Sequence, residues 1–441
     1  MPIDKISDKF SDLGLSSEVL DAVREAGYKN PTPIQLKSIP HLLEGKDILG
    51  IAQTGTGKTA GFTLPMIEIL AAGRARARMP RSLILEPTRE LAAQVAENFS
   101  TYGKNHKLTM ALLIGGVSFV EQNEKLDRGV DVLIATPGRL LDQFERGRIL
   151  LADIKLLVVD EADRMLDMGF IPDIEKVMNL LPYTRQTAMF SATMPSEVQR
   201  LADSYMVNPI KIEVAPEKIA AETVTQRLYI IDGGKLEKQN TLLHLIKKEN
   251  VKNAIVFCNR KRDVRTLDQA LRKSGLNSQA LHGDLPQSIR TDTLEKFRVG
   301  DINVLVASDV AARGLDINEM SHVFNYDVPT NADDYIHRIG RTGRAGKRGH
   351  AITLSTLEDD KYVQQIEQNI GHKLKKEKIA NEHKHIKRIK NQAKNLKGEK
   401  KRENKTNKYH NKVNKEKETN IQEKDKDTLG MGDHIPAFLQ K

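Results

Sequence analysis

Short runs of apolar residues recur along the chain, and between them lie patterns typical of amphipathic helices. Runs with almost no polar residue are typical of parallel strands, because helices cover both faces of such a sheet. The runs form two series, residues 47–51, 83–85, 132–135, 156–159 and 188–190 in the first and residues 254–257, 304–307, 323–324 and 351–354 in the second. The pattern predicts an α/β protein with two domains, each built on a parallel sheet.

The stretch between the two series is polar and contains Pro216, which is typical of a linker. We therefore predict a first domain over residues 1–213, a linker over residues 214–222 and a second domain over residues 223–370. From residue 371 to residue 441 the apolar periodicity is lost, and Lys, Asn, Glu and His dominate. Such a segment cannot bury enough apolar surface to offset its ordering entropy, so we expect a disordered or partly helical tail.

The positive charge of the chain is concentrated in this tail. The 441 residues carry a net charge of +10, and residues 371–441 hold 21 Lys and Arg residues against 10 Asp and Glu residues. Such an excess of basic residues predicts a polyanionic partner such as nucleic acid. Near its end the tail has a short apolar patch from Ile435 to Leu439, which either docks on another surface or has no role.

Cysteine content and hydropathy indicate the compartment. Cys258 is the single cysteine, which rules out an internal disulfide and fits a reducing environment. No apolar segment follows a basic start at the N-terminus, and no run of about 18 apolar residues occurs that could span a membrane. We therefore expect a cytoplasmic protein with no secretory signal and no membrane association.

Residues 52–59 read AQTGTGKT and follow the first apolar run. A glycine-bearing loop between a strand and a helix is typical of a phosphate-binding P-loop, since its backbone N–H groups can surround a triphosphate. Gly55 and Gly57 allow the backbone to approach the phosphates closely. Lys58 would reach the β- and γ-phosphates, and the hydroxyl of Thr59 would ligate Mg²⁺. The predicted nucleotide-binding residues of the loop are Ala52, Gln53, Thr54, Gly55, Thr56, Gly57, Lys58 and Thr59.

Three carboxylates, Asp160, Glu161 and Asp163, follow the apolar run at residues 156–159. Ligands of parallel α/β sheets gather at the carboxyl ends of the strands, so this acidic end should lie near the P-loop. Asp160 would hold Mg²⁺ largely through water, and Glu161 would orient and polarise the attacking water. The combination predicts an enzyme that hydrolyses a nucleoside triphosphate.

With these residues in place, the chain resembles the DEAD-box RNA helicases, superfamily 2 proteins with two RecA-like domains. The sequence Asp-Glu-Ala-Asp stands at residues 160–163, and the resemblance runs from Phe10 to residue 370 with the motifs in family order. It implies two tandem RecA-like domains, ATP and Mg²⁺ as cofactors and RNA as the bound polymer. Residues 115–117 and the lysine-rich extension also resemble the bacterial RhlE-like subgroup. That similarity implies work on ribosomal or messenger RNA. We also expect a monomeric chain, with ribosomal or RNA-degradation assemblies as partners.

The resemblance assigns roles within the first domain. Residues 27–35 are similar to the motif that recognises adenine in the family, in which Gln35 would bond the base edge and Tyr28 would stack on the ring. Phe10 matches an aromatic residue that the family places upstream. Contacts with the RNA backbone are implied for Pro87, Thr88, Arg89, Gly115, Gly116, Thr136, Pro137, Gly138 and Arg139. Coupling between nucleotide state and RNA binding is implied for Asp163, Ser191, Thr193 and His337.

The resemblance assigns further roles in the second domain. Arg341 and Arg344 would act as arginine fingers on the γ-phosphate, and Asp316 would accept a hydrogen bond from the ribose. RNA contacts are implied for Asn259, Gln287, Arg290, Ser308, Arg313 and Gly314. The sequence departs from the family pattern at two of these positions, since Asn259 precedes Arg260 where a threonine is common, and Ser308 replaces a threonine but keeps its hydroxyl.

The mechanism implied is an ATP-driven switch in which the two domains close around ATP and RNA. The closed state would separate short RNA duplexes locally or remodel RNA–protein complexes, and hydrolysis would reopen the cleft. The residues fit equally well an ATP-gated RNA clamp or an annealing factor that separates no strands. A DNA helicase or translocase is a third hypothesis, which the stretch ending at Gln35 and the literal Asp-Glu-Ala-Asp sequence argue against.

Overall fold

The computed structural model describes residues 9–53, 55–73, 79–214, 224–249, 251–312, 320–343 and 348–377. Five predicted site residues lie outside these ranges, namely Thr54, Arg313, Gly314, Asp316 and Arg344. Residues 215–222 of the predicted linker and residues 378–441 of the predicted tail, with the patch from Ile435 to Leu439, also lie outside them.

The first half of the chain forms a seven-stranded sheet. Its strands are β1 Ile48–Ile51, β2 Ser82–Leu85, β3 Met110–Leu113, β4 Val132–Ala135, β5 Leu156–Val159, β6 Gln186–Ser191 and β7 Ile210–Glu213. They lie in the order β3-β4-β2-β5-β6-β1-β7, and every neighbouring pair is parallel. The helices of this half are α1 Ser17–Glu25, α2 Pro33–Leu43, α3 Lys58–Ala71, α4 Arg89–Tyr102, α5 Phe119–Arg128, α6 Pro137–Glu145, α7 Ala162–Asp167, α8 Ile171–Leu180 and α9 Ser196–Tyr205.

The second half repeats this architecture. Its strands are β8 Val224–Ile230, β9 Ala254–Phe257, β10 Ser278–Leu281, β11 Val304–Ala307, β12 His322–Asn325, β13 Gly349–Ser355 and β14 Lys375–Glu377. They form a second seven-stranded parallel sheet in the order β10-β11-β9-β12-β13-β8-β14. The helices are α10 Lys235–Lys248, α11 Lys261–Lys273, α12 Gln287–Arg298, α13 Asp309–Ala312, α14 Ala332–Ile339 and α15 Asp360–Ile370. The predicted pair of parallel-sheet domains is confirmed.

Eight of the nine predicted apolar runs fall within strands, and the run at residues 47–51 begins one residue before β1. These strands form the middle of each sheet. The strands that the apolar pattern does not predict are β3, β7, β8, β10 and β14. Four of these are the outermost strands of their sheets, and β8 lies next to an outermost strand. An outer strand has one neighbour and less helix cover, so it keeps polar residues and loses the continuous apolar run.

The second sheet continues beyond residue 370, where the sequence analysis places the end of the second domain. Strand β14 pairs with β8, with Lys375 opposite Arg227. Leu374, just before the strand, is buried in the core of this half. The structured part of the chain therefore includes the first residues of the stretch that the composition assigns to the tail.

The side chains of the first sheet alternate between two cores. Ile84 and Val158 belong to the core on the side of α3, together with Phe62 of that helix. Leu85 and Val159, the next residues along β2 and β5, belong to the core on the opposite face. This alternation decides which face each residue after a strand can reach.

Two further features concern the single cysteine and the hydropathy of the helices. Cys258 follows β9 and is buried, and its burial raises the pKa of the thiol. Among the residues that the structure describes, none of the helices has both the length and the apolar character needed to cross a membrane.

Candidate functional site

The loop between β1 and α3 has the backbone geometry that a P-loop needs. Gly55 and Gly57 have φ angles of 88° and 91°, in the left-handed region that glycine adopts without steric cost. Gly57 is also the residue before α3, which starts at Lys58. The loop therefore presents the free N–H groups of a helix N-terminus, and these attract anions.

The remaining residues of this loop hold its shape. The N–H of Ala52 donates to the carbonyl of Ser191 at 2.9 Å, which attaches the loop to β6. The hydroxyl of Thr56 donates to the carbonyl of Gln53 at 2.7 Å and closes a tight turn. Thr59 is the second residue of α3 and is half-buried, and its role as a cation ligand stays a prediction.

Lys58 carries a buried positive charge that faces the acidic end of β5. Its side chain is 5% exposed, and its Nζ lies 3.7 Å from Oδ1 of Asp160. Within the described residues this Nζ has no hydrogen-bond partner. Because a buried ammonium group without hydrogen bonds is unfavourable, its surroundings suit an anionic ligand such as a phosphate.

Asp160 and Glu161 follow β5 and are both buried. Burial raises the pKa of Asp160 to about 6, although Lys58 opposes the shift. Burial also disfavours the charge of Glu161, but Arg164, Lys58 and Arg341 outweigh it and lower the pKa of Glu161. The geometry therefore holds Glu161 as a carboxylate, the form that can accept a hydrogen bond from an attacking water.

Glu86 is a site residue that the sequence analysis missed. It follows β2, is fully buried, and neither carboxyl oxygen has a hydrogen-bond partner in the described part of the chain. Burial and the negative charges of Asp160 and Glu161 raise its pKa well above the usual range. The signal was present in the sequence, since Glu86 ends an apolar run just as Asp160 does.

Gln35 links the predicted adenine motif to the P-loop. Its Oε1 accepts from the N–H of Thr32 at 2.9 Å, and its Nε2 donates to the carbonyl of Gly57 at 2.9 Å. Its side chain is fully buried. Both ends of the amide are thus occupied by the protein, and an adenine edge would have to replace one of these bonds.

Tyr28 presents the exposed aromatic surface of the adenine motif. Tyr28 is 41% exposed, and its hydroxyl oxygen lies 2.9 Å from the hydroxyl oxygen of Tyr102. Its ring packs edge-to-face against Tyr102 and Phe10, with centroids 6.1 and 6.4 Å apart. Phe10 is itself buried, so it supports Tyr28 from behind and leaves the tyrosine ring for stacking.

Asp163, Ser191 and Thr193 form one hydrogen-bonded group, as the sequence analysis predicts that they cooperate. Oδ2 of Asp163 accepts from the N–H and the hydroxyl of Thr193 at 2.8 and 2.9 Å. The hydroxyl of Ser191 accepts from the N–H of Asp163 at 3.2 Å and donates to the carbonyl of Thr193 at 2.6 Å. The group fixes the segment after β6 to the acidic end of β5.

Two residues of the second half interact electrostatically with this acidic end. Arg341 is buried, and its positive charge lowers the pKa of Glu161. His337, on α14, has its pKa lowered to about 4 by burial and by Arg164, while Asp163 opposes the shift. The bridge from His337 to Asp163 stays a prediction, since Nδ1 of His337 has no hydrogen-bond partner among the described residues. The positive charges of Arg341 and Lys58 therefore both act on Glu161.

Arg89 covers the glycine pair of the first predicted RNA-binding surface. A β-carbon on Gly115 would lie 3.2 Å from its Nη2, and one on Gly116 would collide with the guanidinium. Thr88 is buried and caps α4, since its hydroxyl accepts from the N–H of Leu91 at 3.3 Å. Pro87 is also buried. Of these residues, Arg89 and the glycine loop offer the polar surface that a phosphate backbone could reach.

Residues 136–139 begin α6, beside that glycine loop. Thr136 precedes the helix, Pro137 is its first residue and Gly138 is exposed. Nη2 of Arg139 donates to the carbonyl of Val117 at 3.4 Å, and its guanidinium lies 4.0 Å from the ring centroid of Phe119. The three predicted RNA-binding stretches follow β2, β3 and β4, which are adjacent in the sheet, so they share one edge.

Gln287 and Arg290 bind the first half of the chain. Nη2 and Nε of Arg290 lie 2.7 and 2.9 Å from Oε1 of Glu90, and Nε2 of Gln287 donates to the same oxygen at 3.2 Å. The side chains of Arg290 and Glu90 are 6% and 8% exposed. The RNA contact predicted for this pair stays a prediction, and the structure gives both side chains a partner on α4.

Asn259 is exposed, and its side chain is hydrogen-bonded within the protein. Its Nδ2 donates to the carbonyl of Val328 at 2.9 Å, and its Oδ1 accepts from Nη2 of Arg338 at 2.7 Å. The contact of Asn259 with RNA also stays a prediction.

Ser308 follows β11, and its buried hydroxyl has no hydrogen-bond partner within the described ranges.

The residues present fit Mg²⁺ held together with a nucleotide. Thr59 and Asp160 supply the hydroxyl and carboxylate oxygens that a hard cation prefers. No group of three or more His, Cys, Asp and Glu side chains in the described part is arranged to ligate a metal. Magnesium characteristically keeps several waters and shares phosphate oxygens, which agrees with the prediction that Asp160 acts through water.

Comparison with known proteins agrees with this geometry. Residues 32–201 match the family model described as DEAD/DEAH box helicase, and residues 237–346 match the helicase conserved C-terminal domain. The chain is 45% identical over 361 residues to the DEAD-box ATP-dependent RNA helicase RhpA of Helicobacter pylori, covering 82% of this chain and 72% of RhpA. The chain belongs to the DEAD-box ATP-dependent RNA helicases. The predicted family is thus confirmed, and the narrower RhlE-like grouping stays a prediction.

A further relative and a solved structure are also similar to this chain. The ATP-dependent RNA helicase CshA of Limosilactobacillus reuteri is 42% identical over 359 residues, covering 81% of this chain and 71% of CshA. The structure of S. cerevisiae Dbp5 bound to RNA and ADP BeF3 matches with a TM-score of 0.76 and 30% identity, covering 87% of this chain and 99% of that chain. The tandem RecA-like fold predicted for a DEAD-box protein is confirmed.

Proposed function

We propose that the chain is an RNA helicase that hydrolyses ATP to ADP and phosphate while it separates short RNA duplexes locally or remodels RNA–protein complexes. The observation that carries this proposal is the buried ion pair between the halves, in which Arg290 lies 2.7 Å from Glu90, together with the effect of Arg341 on Glu161. A site assembled from both halves can couple hydrolysis to their closure around RNA.

The residues of the first half would bind ATP and activate water. The N–H groups at the start of α3 and the ammonium of Lys58 would hold the phosphates, and Tyr28 would stack on the adenine. Glu161 would accept a hydrogen bond from the attacking water and orient it towards the γ-phosphorus. When bound, Mg²⁺ neutralises charge on the phosphate oxygens.

Arg341, together with Arg344, would donate hydrogen bonds to the γ-phosphate as its charge develops in the transition state. Asp316 would bind the ribose. Asp163, Thr193 and His337 would transmit the state of this site to the RNA-binding edge, because Asp163 hydrogen-bonds Thr193 and faces His337.

RNA recognition would be through phosphates and 2′-hydroxyl groups and hence largely independent of sequence. In the first half it would use the loops that contain Arg89, Gly116 and Arg139. In the second half it would use Ser308, Arg313 and Gly314, with Asn259, Gln287 and Arg290 completing the surface. The basic tail would add a salt-sensitive tether to RNA.

The cellular setting that we propose is the cytoplasm, with no membrane association and a monomeric chain. Ribosomal or RNA-degradation assemblies are the proposed partners. The predicted domain limits at residues 213, 222 and 370 belong to this proposal, with β14 assigned to the second domain.

The deciding experiment is a strand-displacement assay on a short duplex with a single-stranded tail, run with and without ATP. We expect ATP-dependent displacement and ATPase activity that RNA stimulates more than DNA does. ATP-dependent retention of RNA without displacement would favour the ATP-gated clamp or annealing factor. Stimulation by DNA alone would contradict an RNA helicase.

A further inference from the structure

Glu86 is a buried carboxyl group beside the proposed ATP site to which the mechanism above gives no role. It is fully buried, and its backbone N–H donates to the carbonyl of Ala135 at 2.9 Å. Neither side-chain oxygen has a hydrogen-bond partner among the described residues. Buried polar groups without partners are rare and costly in proteins, so a ligand that supplies those hydrogen bonds is expected here.

The sheet register directs Glu86 towards the catalytic carboxylates. Leu85 of β2 lies beside Val159 of β5, so Glu86 follows its strand at the level of Asp160. Ile84, two residues before Glu86, packs on the α3 side of the sheet. Because side chains alternate along a strand, Glu86 and Asp160 both face α3 and the P-loop.

The charges that act on Glu86 agree with a side chain that faces Asp160 and the P-loop. The negative charges of Asp160 and Glu161 and the positive charge of Lys58 all act on Glu86. Nζ of Lys58 is itself buried and without a hydrogen-bond partner in the described ranges. The carboxyl groups of Glu86, Asp160 and Glu161 and the ammonium group of Lys58 therefore interact electrostatically, which suits a cation that arrives together with an anionic phosphate.

We propose that Glu86 is a third carboxylate of the cation site and accepts hydrogen bonds from water molecules bound to the Mg²⁺ that accompanies the nucleotide. The proposal rests on the ATP-dependent function proposed above. Magnesium keeps several of its waters in such sites, and carboxylates that bind those waters strengthen metal binding without direct coordination.

The test separates metal binding from nucleotide binding. Glu86→Gln keeps the size of the side chain and leaves no protein group without a partner, because Glu86 binds none in the described residues. Affinity for a fluorescent ADP is measured in EDTA and in saturating Mg²⁺, and affinity for Mn²⁺ in the presence of ADP is measured by electron paramagnetic resonance. Removal of an outer-shell carboxylate is expected to weaken Mn²⁺ binding by about tenfold or more, while affinity for metal-free ADP does not fall.

Glu97→Gln, on the exposed surface of α4, is the matched control and should leave both affinities unchanged. Unchanged Mn²⁺ affinity in Glu86→Gln would overturn the proposal, and so would an equal loss of ADP affinity with and without metal. Glu86→Thr provides the same comparison if the glutamine variant unfolds at a lower temperature. If the wild-type chain binds ADP no better with Mg²⁺ than without it, the proposed function itself fails.

Discussion

At the end of β5 the backbone adopts a conformation that side chains seldom accept, and Glu161 is the residue that adopts it. Its φ is 52°, in the left-handed region that favours glycine. Such strain persists where the surroundings hold a residue in place, and here Arg164 lies 3.4 Å from its carboxylate. The surroundings thus fix the direction of a carboxylate whose charge Lys58 and Arg341 stabilise.

Replacing Glu161 by glutamine should therefore abolish turnover while binding survives. Gln keeps the shape but is a poor acceptor for the proton of the attacking water, so kcat should fall by about 100-fold or more. ATP affinity by fluorescence titration and RNA affinity by anisotropy should stay near wild type. Glu97→Gln should show normal kcat, and normal kcat in Glu161→Gln would remove Glu161 from this role.

His322 should make folding stability depend on pH. Burial and the neighbouring His350 lower the pKa of His322 from 6.5 to about 4, although Glu249 opposes the shift. Between these pH values the unfolded chain binds a proton that the folded chain does not, so the free energy of unfolding falls as the pH falls. The free energy of unfolding, measured by urea titration at pH 7 and at pH 4.5, should therefore differ less in His322→Asn than in wild type. In His372→Asn, a change at an exposed position, it should differ as much as in wild type.

The contact between α4 and α12 shows how two helices can connect the halves of the chain. Glu90 and Arg290 are almost fully buried and bond each other, with Gln287 beside them. Removing one partner of a buried ion pair leaves an uncompensated charge, whereas removing both does not. A role in joining the halves can therefore be separated from a role in touching RNA.

If the pair joins the halves, Glu90→Gln and Arg290→Met should raise the KM for RNA in the ATPase assay to a similar extent. The double variant should be no worse than either single variant, with a coupling energy of about 0.5 to 3 kcal/mol. If Arg290 acts only by contacting RNA, Glu90→Gln alone should leave the KM for RNA unchanged. Lys296→Met, on the exposed part of α12, is the control.

How well the sequence predicts each strand depends on how far helices cover that strand. The middle strands have continuous apolar runs because helices bury both their faces, whereas β7 and β10 lie at sheet edges and mix polar with apolar residues. Motif order placed Asp163 and Thr193 together, and they hydrogen-bond. The partners of Gln287 and Arg290 could not be predicted, since no spacing in the chain indicates that α12 meets α4. Glu86 was missed because a single carboxylate after a strand matches no motif.

Considered as a whole, the chain is nearly neutral up to residue 370 and carries a basic extension beyond it, and β14 lies just past that border. Leu374 is buried, and β14 hydrogen-bonds β8. A chain shortened to residue 370 would thus lose an edge strand as well as the basic extension. A chain shortened to residue 377 would lose most of the extension's charge and keep the strand.

The chain ending at residue 377 should bind RNA on the order of tenfold more weakly at low salt, with a shallower dependence of log K on log salt. Its unstimulated ATPase activity should match that of the full chain, because the ATP site lies in the structured part. The chain ending at residue 370 should also unfold at a lower temperature. Equal RNA affinity at every salt concentration for the full chain and the chain ending at residue 377 would contradict the tether.

Cys258 gives the molecule a practical property. Its thiol is buried after β9, and burial raises its pKa, so the reactive thiolate is scarce at neutral pH. Maleimide dyes should therefore not react with the native chain and should label only cysteines introduced at exposed positions. With one dye on each half, single-molecule energy transfer would measure how the distance between the halves responds to nucleotide and RNA. Cys258 would not have to be replaced first.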